Sequence, residues 1–454
     1  MKIFLISANR STEPYPVFPL GLATIANALR TAGHCVEIFD CLFDSDLHER
    51  LRAFAPQLVG ISLRNIDNEN SLAEEWYLDD IRQLVASVHD VTRRARRSRP
   101  NVVIGGAGFS IMPEKILEHT GANYGIAGEG EVLIVKLADT LARGEKPETR
   151  ILWQVPPLAT SEIFSGLREA GWAARYAAKG GGFGIQTKRG CPHQCAYCSY
   201  PSIEGRVLRP REPKAVADEV AWLGEHCPGA SVFFTDSVFN DSLGLWRGVV
   251  EELLARGNRV PWSAYFRPVG ISSDDIALMK RAGLKSAELG TDAASDAALR
   301  GLNKNFTFEE AEACHKIFIE QAVPVAHFLM FGGPDETMES VREGIANVKR
   351  LAGAVVFPFM GIRILPGTPL CGRALREGVI NAETNLLNPV YYLSPGLDHA
   401  ALQAELEAAF SDSPNIVFPP DKMRVFTEAL RSMGHAGSLW ELLAAAQNRR
   451  ARRR

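Results

Sequence analysis

Cys191-Pro192-His193-Gln194-Cys195-Ala196-Tyr197-Cys198 places three thiols at C-x3-C-x2-C spacing, directly after an apolar run and the turn residue Gly190. Thiolates this close together suit an iron–sulfur cluster, and three of them leave one iron of a 4Fe-4S cube without a protein ligand. An electron-transfer cluster or a tetrahedral zinc site asks for a fourth donor. No fourth cysteine and no second C-x-x-C pair lies nearby. His193 is a neighbour able to complete a zinc site, and buried, unligated thiols are the bland alternative.

Outward from the cysteines, residues 183–375 alternate strand and helix patterns. Strand candidates are 183–187, 231–235, 260–266, 285–289, 323–331 and 355–364, and Val216, Val220 and Leu223 mark a helix face between two of them. Such βα units build a barrel, closed or partial, with its chemistry at the C-terminal strand ends. The first strand leads into the cysteine loop. The next ends are Phe234-Thr235-Asp236-Ser237, then Arg267, then Glu288-Leu289-Gly290-Thr291-Asp292. The last two are Phe331-Gly332-Gly333-Pro334-Asp335-Glu336-Thr337 and Arg363-Ile364-Leu365-Pro366-Gly367-Thr368-Pro369. Singly, each reads as turn chemistry or a helix cap, with Thr337 placed to cap the following helix. Arg363 suits a carboxylate or phosphate partner.

Residues 1–145 alternate as well, with Ile3-Phe4-Leu5-Ile6, Val36-Glu37-Ile38-Phe39, Leu58-Val59-Gly60-Ile61, Val102-Val103-Ile104 and Tyr124-Gly125-Ile126 spaced by amphipathic helices. This predicts a doubly wound parallel sheet of about five strands, with ligands at their carboxyl ends. Ser62, Gly105-Gly106 and Gly128-Glu129-Gly130-Glu131 follow the last three strands. Glycines there let backbone approach a ligand, and helix N-termini offer amides to phosphate. Tight strand-to-helix turns are the simpler account. Residues 146–182, with Pro147, Pro156, Pro157 and Gly180-Gly181-Gly182, read as a linker. Residues 376–454 read as a small helical extension. It carries Tyr391, Tyr392 and Phe418 as core or pocket walls, and Arg449–Arg454 as a solvated basic tail.

Composition bounds the rest. The 454 residues are 46% hydrophobic and 23% charged with a formal net charge of -3, which gives no sign of a nucleic-acid partner, and no apolar run reaches membrane-span length. The N-terminus lacks the basic region and cleavage site of a signal peptide. The remaining cysteines, Cys35, Cys41, Cys227, Cys314 and Cys371, show no pairing pattern, as expected in a reducing cytoplasm.

The cysteine spacing, with Tyr197 just before the last thiol, resembles the signature of the radical S-adenosylmethionine (SAM) superfamily. That resemblance implies a partial (β/α)6 barrel in which the open iron chelates SAM and an electron from the cluster cleaves it. It implies cofactor contacts at Tyr197, Thr235, Asp236, Arg267, Glu288, Asp292, Gly332, Gly333, Arg363 and Leu365. Two departures stand out: the usual Gly-Gly-Glu is absent at Thr235-Asp236, and Asp292 stands where Glu is commoner. The order of the N-terminal segments resembles the cobalamin-binding-type Rossmann domain of one branch of the superfamily, which implies a cobalamin tail near Ser62, Gly105 and Gly106. The loop from Asn9 to Leu20 lacks the Asp-x-His-x-x-Gly motif that supplies an axial histidine in cobalamin mutases.

The expected activity is therefore SAM cleavage at a 4Fe-4S cluster, with an external reductant such as flavodoxin or ferredoxin and a small-molecule substrate. Cobalamin-dependent methyl transfer to a metabolite or lipid leads. The alternatives are cobalamin-independent transfer of a 3-amino-3-carboxypropyl group to a heteroatom such as arsenic, as in natural-product assembly, and a non-catalytic iron–sulfur module. No C-x-x-C pair follows residue 376, which disfavours an auxiliary cluster. No motif names the substrate or the oligomeric state.

Overall fold

The computed structural model describes residues 1–94, 99–166, 169–433, 435 and 438–444. The basic stretch Arg449–Arg454 lies outside the described residues.

The first sheet has six parallel strands: β1 (Lys2–Ser7), β2 (Cys35–Asp40), β3 (Leu58–Ser62), β4 (Asn101–Gly105), β5 (Tyr124–Ala127) and β6 (Ile151–Trp153), in the order β2-β1-β3-β4-β5-β6. The central strands are buried because helices cover both faces, so their sequences are near-continuous apolar runs. Chain order reverses across β1 and β3, the place where doubly wound sheets open a ligand crevice.

The expected linker is more ordered than its composition suggests. It supplies β6, and its helix Ala170–Ala178 docks on the first sheet. Trp172 Nε1 and Tyr176 Oη donate to the buried Asp40 carboxylate at 2.8 and 2.7 Å.

The second sheet is the partial barrel. Its strands β7 (Gly182–Ile185), β10 (Ser231–Phe234), β11 (Trp262–Phe266), β12 (Leu284–Asp292), β13 (Val325–Phe331) and β14 (Val355–Met360) are parallel and neighbour one another in that order. A short antiparallel pair, β8 (Lys188–Arg189) with β9 (Arg209–Pro210), flanks the cysteine loop. The run expected as 355–364 bends at Gly361, after which β15 (Ile362–Arg363) pairs with β16 (Tyr391–Tyr392).

Both barrel edges are covered, which satisfies groups an open edge would expose. The loop after β1 lies on β7, with Phe18 N donating to Gly182 O and Gly182 N to Pro16 O, both at 3.0 Å. The C-terminal region lies on β14 through Val356 N to Asn415 O and Val417 N to Val356 O, both 2.8 Å. Arg431, on helix Lys422–Ser432, joins the two covers by pairing with Glu13 at 2.8 Å. Apolar cores run through both domains, joining Phe4, Ile61 and Val102 to Leu329, Val341 and Ile364. Tyr392 and Phe418 are core residues here, 0% and 4% exposed.

Candidate active site

The cysteine loop is rooted by a buried ion pair. Lys188 Nζ lies 2.9 Å from Asp236 Oδ2, with the two side chains 2% and 0% exposed. The same carboxylate accepts from Thr187 N at 2.7 Å and from the Thr187 hydroxyl. Charges this buried persist only when paired and hydrogen-bonded, which ties the end of β10 to the start of the loop. Gly190 then turns the chain with φ 90°, and a Cβ there would sit 2.2 Å from Val207 O. The loop is held on its far side by Ala196 N to Leu302 O at 2.9 Å and Asn303 Nδ2 to Gln194 O at 2.7 Å.

All three thiols line one cavity of about 370 Å³. Burial raises the thiols of Cys191 and Cys198, the latter to about 12. Among the described residues no three His, Cys, Asp or Glu side chains converge on a single-ion site. Lys304 reaches into the cavity, 3.5 Å from Cys195 Sγ, and pairs with Asp292. Tyr197 donates to the same Asp292 carboxylate. Asp292 stands at a break in the β12–β13 register with φ 64°. Arg267 and His193 complete the rim, where burial and the cations of Arg267 and Lys304 lower the His193 pKa and keep that ring neutral. The hydroxyls of Thr235 and Ser237 are buried in this cavity without a protein partner.

A second cavity, of about 270 Å³, opens over the carboxyl ends of β3, β4 and β5. Ser62, Gly105, Gly106 and Gly128 line it together with Gln186, Arg189 and Tyr200 from the barrel side. Gly106, at φ 109°, packs against Leu63, whose carbonyl oxygen a Cβ would meet at 2.4 Å. The floor is a buried charge cluster. Arg189 binds Glu129 at 2.9 Å and Glu131 at 2.6 Å, and Arg209 binds Glu129 at 2.9 Å. Glu129 also accepts from Leu158 N at 2.7 Å.

Residues 6–138 match the B12 binding domain family, and residues 185–346 match the Radical SAM superfamily. The chain is a radical SAM enzyme with an N-terminal B12-binding domain. Among relatives, it is 25% identical to the tryptophan 2-C-methyltransferase of Streptomyces laurentii over 450 residues, covering 80% of this chain and 73% of that one. Its fold matches the radical SAM methyltransferase TsrM of Kitasatospora setae, solved with cobalamin and a 4Fe-4S cluster, at a TM-score of 0.82 and 23% identity over 100% of this chain and 99% of that one. The cobalamin-dependent radical SAM enzyme OxsB follows at 0.71 and 14% over 98% and 72%. Its two domains are the kinds that take cobalamin and a 4Fe-4S cluster with SAM. No helix among the described residues is long and apolar enough to cross a membrane.

The residues fit these groups. Three thiols with no fourth donor among the described residues, orphaned hydroxyls and the cations of Lys304 and Arg267 suit a cluster carrying an anionic chelate. Glycine-walled backbone suits a nucleotide tail. The loop where mutases carry an axial histidine holds none, and it serves instead as cover for β7.

The structure brings Tyr197, Thr235, Asp236, Arg267 and Asp292 to the cysteine cavity, although Asp236 is committed to Thr187 and Lys188. It does not bring the others. Glu288 points into the barrel lumen, where it accepts from Trp440 Nε1 at 3.4 Å. Gly332 and Gly333 donate their amides to Glu336, both at 2.6 Å, in a closed turn. Arg363 is buried against Asp67 at 2.8 Å and holds Leu386 O, so its carboxylate partner is internal. Leu365 is core, 6% exposed. Glu129 fell within a marked strand end, but its partners Arg189 and Arg209, and Lys304, went unmarked in the sequence. Asn303-Lys304-Asn305 is a plain polar triplet, and the charged partners lie 60 and 80 residues apart.

Proposed function

We propose that this enzyme transfers the methyl group of SAM to a carbon, or to a phosphinate phosphorus, of a small metabolite or lipid, with cobalamin as methyl carrier. The observation that carries this reading is a shared wall: Tyr200 and Thr235 line both cavities. Bound there, cluster and SAM supply the electron and the methyl source, and cobalamin supplies the carrier. The chain's own contribution is positional.

Cys191, Cys195 and Cys198 would hold the cluster. Lys304 and Arg267 present positive charge to the SAM carboxylate, and the unpartnered Thr235 and Ser237 hydroxyls accept from its amino group. Tyr197 fixes Asp292, which would then face the SAM ribose. Ser62, Gly105 and Gly106 form the backbone wall for the cobalamin tail. The Lys188–Asp236 pair fixes where the cysteine loop leaves the barrel. The related TsrM, solved with tryptophan as substrate and a SAM analogue, supports a small-molecule substrate.

The test is product analysis on anaerobically reconstituted protein. Near-stoichiometric cobalamin is expected, with S-adenosylhomocysteine formed from SAM and a reductant such as flavodoxin, accompanied by 5′-deoxyadenosine where a hydrogen atom is abstracted. Methylthioadenosine would mark aminocarboxypropyl transfer. That product, a repeated absence of cobalamin, or intact SAM would overturn the reading.

A further inference from the structure

The cysteine loop is a closed hoop. Cys191 N donates to Gly205 O at 3.0 Å, so the chain from Cys191 to Gly205 returns on itself with all three thiols inside. Its two limbs are held by different domains. The limb carrying Gln194 and Ala196 is tied to the barrel, where Asn303 Nδ2 donates to Gln194 O, Ala196 N to Leu302 O, and Leu370 N to Ala196 O at 2.8 Å. The return limb, a short helix Tyr200–Ile203 followed by Glu204, is instead part of the wall of the cavity over the first sheet. Ile203 O lies 3.6 Å from where a Cβ on Gly128 would stand, so this limb packs on the loop that follows β5.

Glu204 ties the ends of the hoop to that wall. Its carboxylate accepts from Gly190 N at 3.2 Å, directly before Cys191, and from Gln186 Nε2 at 2.9 Å, directly after β7. Gln186 in turn accepts from Arg189 Nε at 2.9 Å. Arg209, already bound to Glu129, donates to Glu204 O at 2.6 Å. A continuous set of polar contacts therefore runs from Glu129 of the B12-binding domain through Arg209 and Glu204 to the backbone of Gly190. Gln186, Arg189 and Glu204 all line the same cavity. A carboxylate has about four acceptor sites, and the peripheral primary amides of a cobalamin are N–H donors suited to those that Gly190 and Gln186 leave over.

We propose that Glu204 is a positioning residue that links the occupancy of the two cofactor sites. Cobalamin in its cavity steadies the return limb, and with it the Cys191 end of the hoop. A formed cluster steadies the same limb for cobalamin. Such a link is reciprocal by thermodynamic necessity, because each group changes the other's affinity by the same factor. It does not depend on which group the enzyme transfers or on the acceptor.

The test is hydroxocobalamin titration of the full-length protein, once with the cluster reconstituted and once with iron removed. Wild type is expected to bind hydroxocobalamin about tenfold more tightly with the cluster in place, and saturating hydroxocobalamin should slow the loss of iron to a chelator. Glu204→Ala releases both Gly190 and Gln186 and should bring the affinity ratio close to one, with cluster and cobalamin each still bound. Glu204→Gln keeps one acceptor and should hold an intermediate ratio. Asn303→Ala loosens the hoop on its barrel side only, so its ratio should match wild type, whereas a general loosening of the loop would lower the ratio in both. Equal wild-type affinities with and without the cluster overturn the inference before any variant is made, as does an absence of saturable hydroxocobalamin binding. A ratio that survives Glu204→Ala, or that falls equally in Asn303→Ala, overturns the role of Glu204. The products of SAM are not read, so the methyl-transfer assignment stands or falls separately.

Discussion

Lys304 Nζ lies 3.5 Å from the Sγ of Cys195 while its charge is balanced by Asp292. A cation donating to a cluster sulfur stabilises the reduced, more negative cluster, because hydrogen bonds and charge near the sulfurs set its potential. Lys304→Met should therefore lower the midpoint potential of the reconstituted cluster by about 60 mV, the one-electron equivalent of about 1.4 kcal/mol. Lys304→Arg should restore most of it. Potentiometry followed by electron paramagnetic resonance reads this directly, at unchanged iron content. An unchanged potential would show that Lys304 serves Asp292 alone.

Glu129 joins the two domains by binding Arg189 and Arg209, with all three side chains between 4% and 13% exposed. Breaking a buried pair strands the remaining charge, at a cost of about 3–5 kcal/mol. Glu129→Gln should lower the thermal midpoint markedly. It should also weaken cobalamin retention, since Gly128 to Glu131 line that cavity and Arg189 immediately precedes Gly190. Thermal unfolding and hydroxocobalamin titration check the two effects.

What the sequence disclosed, and what it hid, follows from the range of each interaction. The cysteine loop was legible because its three thiols lie within eight residues, and the Thr337 cap because capping needs only Ser340, three residues on. The strand ends were legible through periodicity. Glu288 misled because one stretch holds residues at two depths. It shares the inner face with Gly290 but sits two residues lower, about 7 Å at strand rise, and so falls to the floor of the lumen. Strand β6 has only three residues, partly exposed at a sheet edge beside two prolines, too few to show a period. Lys304 follows Asp292 by a short helix and a turn, and only tertiary folding returns it to the cysteines.

Glu336 accepts the amides of Gly332 and Gly333 and is 3% exposed. Glu336→Ala would leave two buried donors unpaired, at about 1–3 kcal/mol each, whereas Glu336→Gln keeps an acceptor. Burial outweighs those two bonds and raises the Glu336 pKa to about 7. The folded protein thus holds a proton that the unfolded chain, near 4.5, releases. The contribution to stability is full below pH 4.5 and is lost as pH rises through 7. Glu336→Gln should flatten that decline, as measured by thermal midpoints across the interval.

Three side chains form a buried relay behind β12. His315 Nε2 lies 3.1 Å from Ala352 O, His327 Nε2 lies 3.1 Å from His315 Nδ1, and His327 Nδ1 lies 2.8 Å from Thr291 Oγ1. Ala352 O can only accept, so His315 donates from Nε2 and accepts at Nδ1. His327 must then donate from Nε2 and accept the Thr291 hydroxyl, which makes both rings neutral with one tautomer each. Burial favours the same state, lowering His315 to about 4 and His327 well below its usual value. Here the unfolded chain binds protons that the folded one refuses. Stability contributed by the pair is present above pH 6.5 and is lost as pH falls toward 4. His315→Gln cannot titrate, so its thermal midpoint should fall less steeply than wild type between pH 6.5 and about 4. Because the relay ends on Thr291, beside Asp292, the same substitution should loosen the Lys304 and Tyr197 contacts and weaken SAM binding at neutral pH by a few-fold. Parallel acid limbs for the two proteins would show that the rings are hydrated or paired elsewhere and do not form a closed relay.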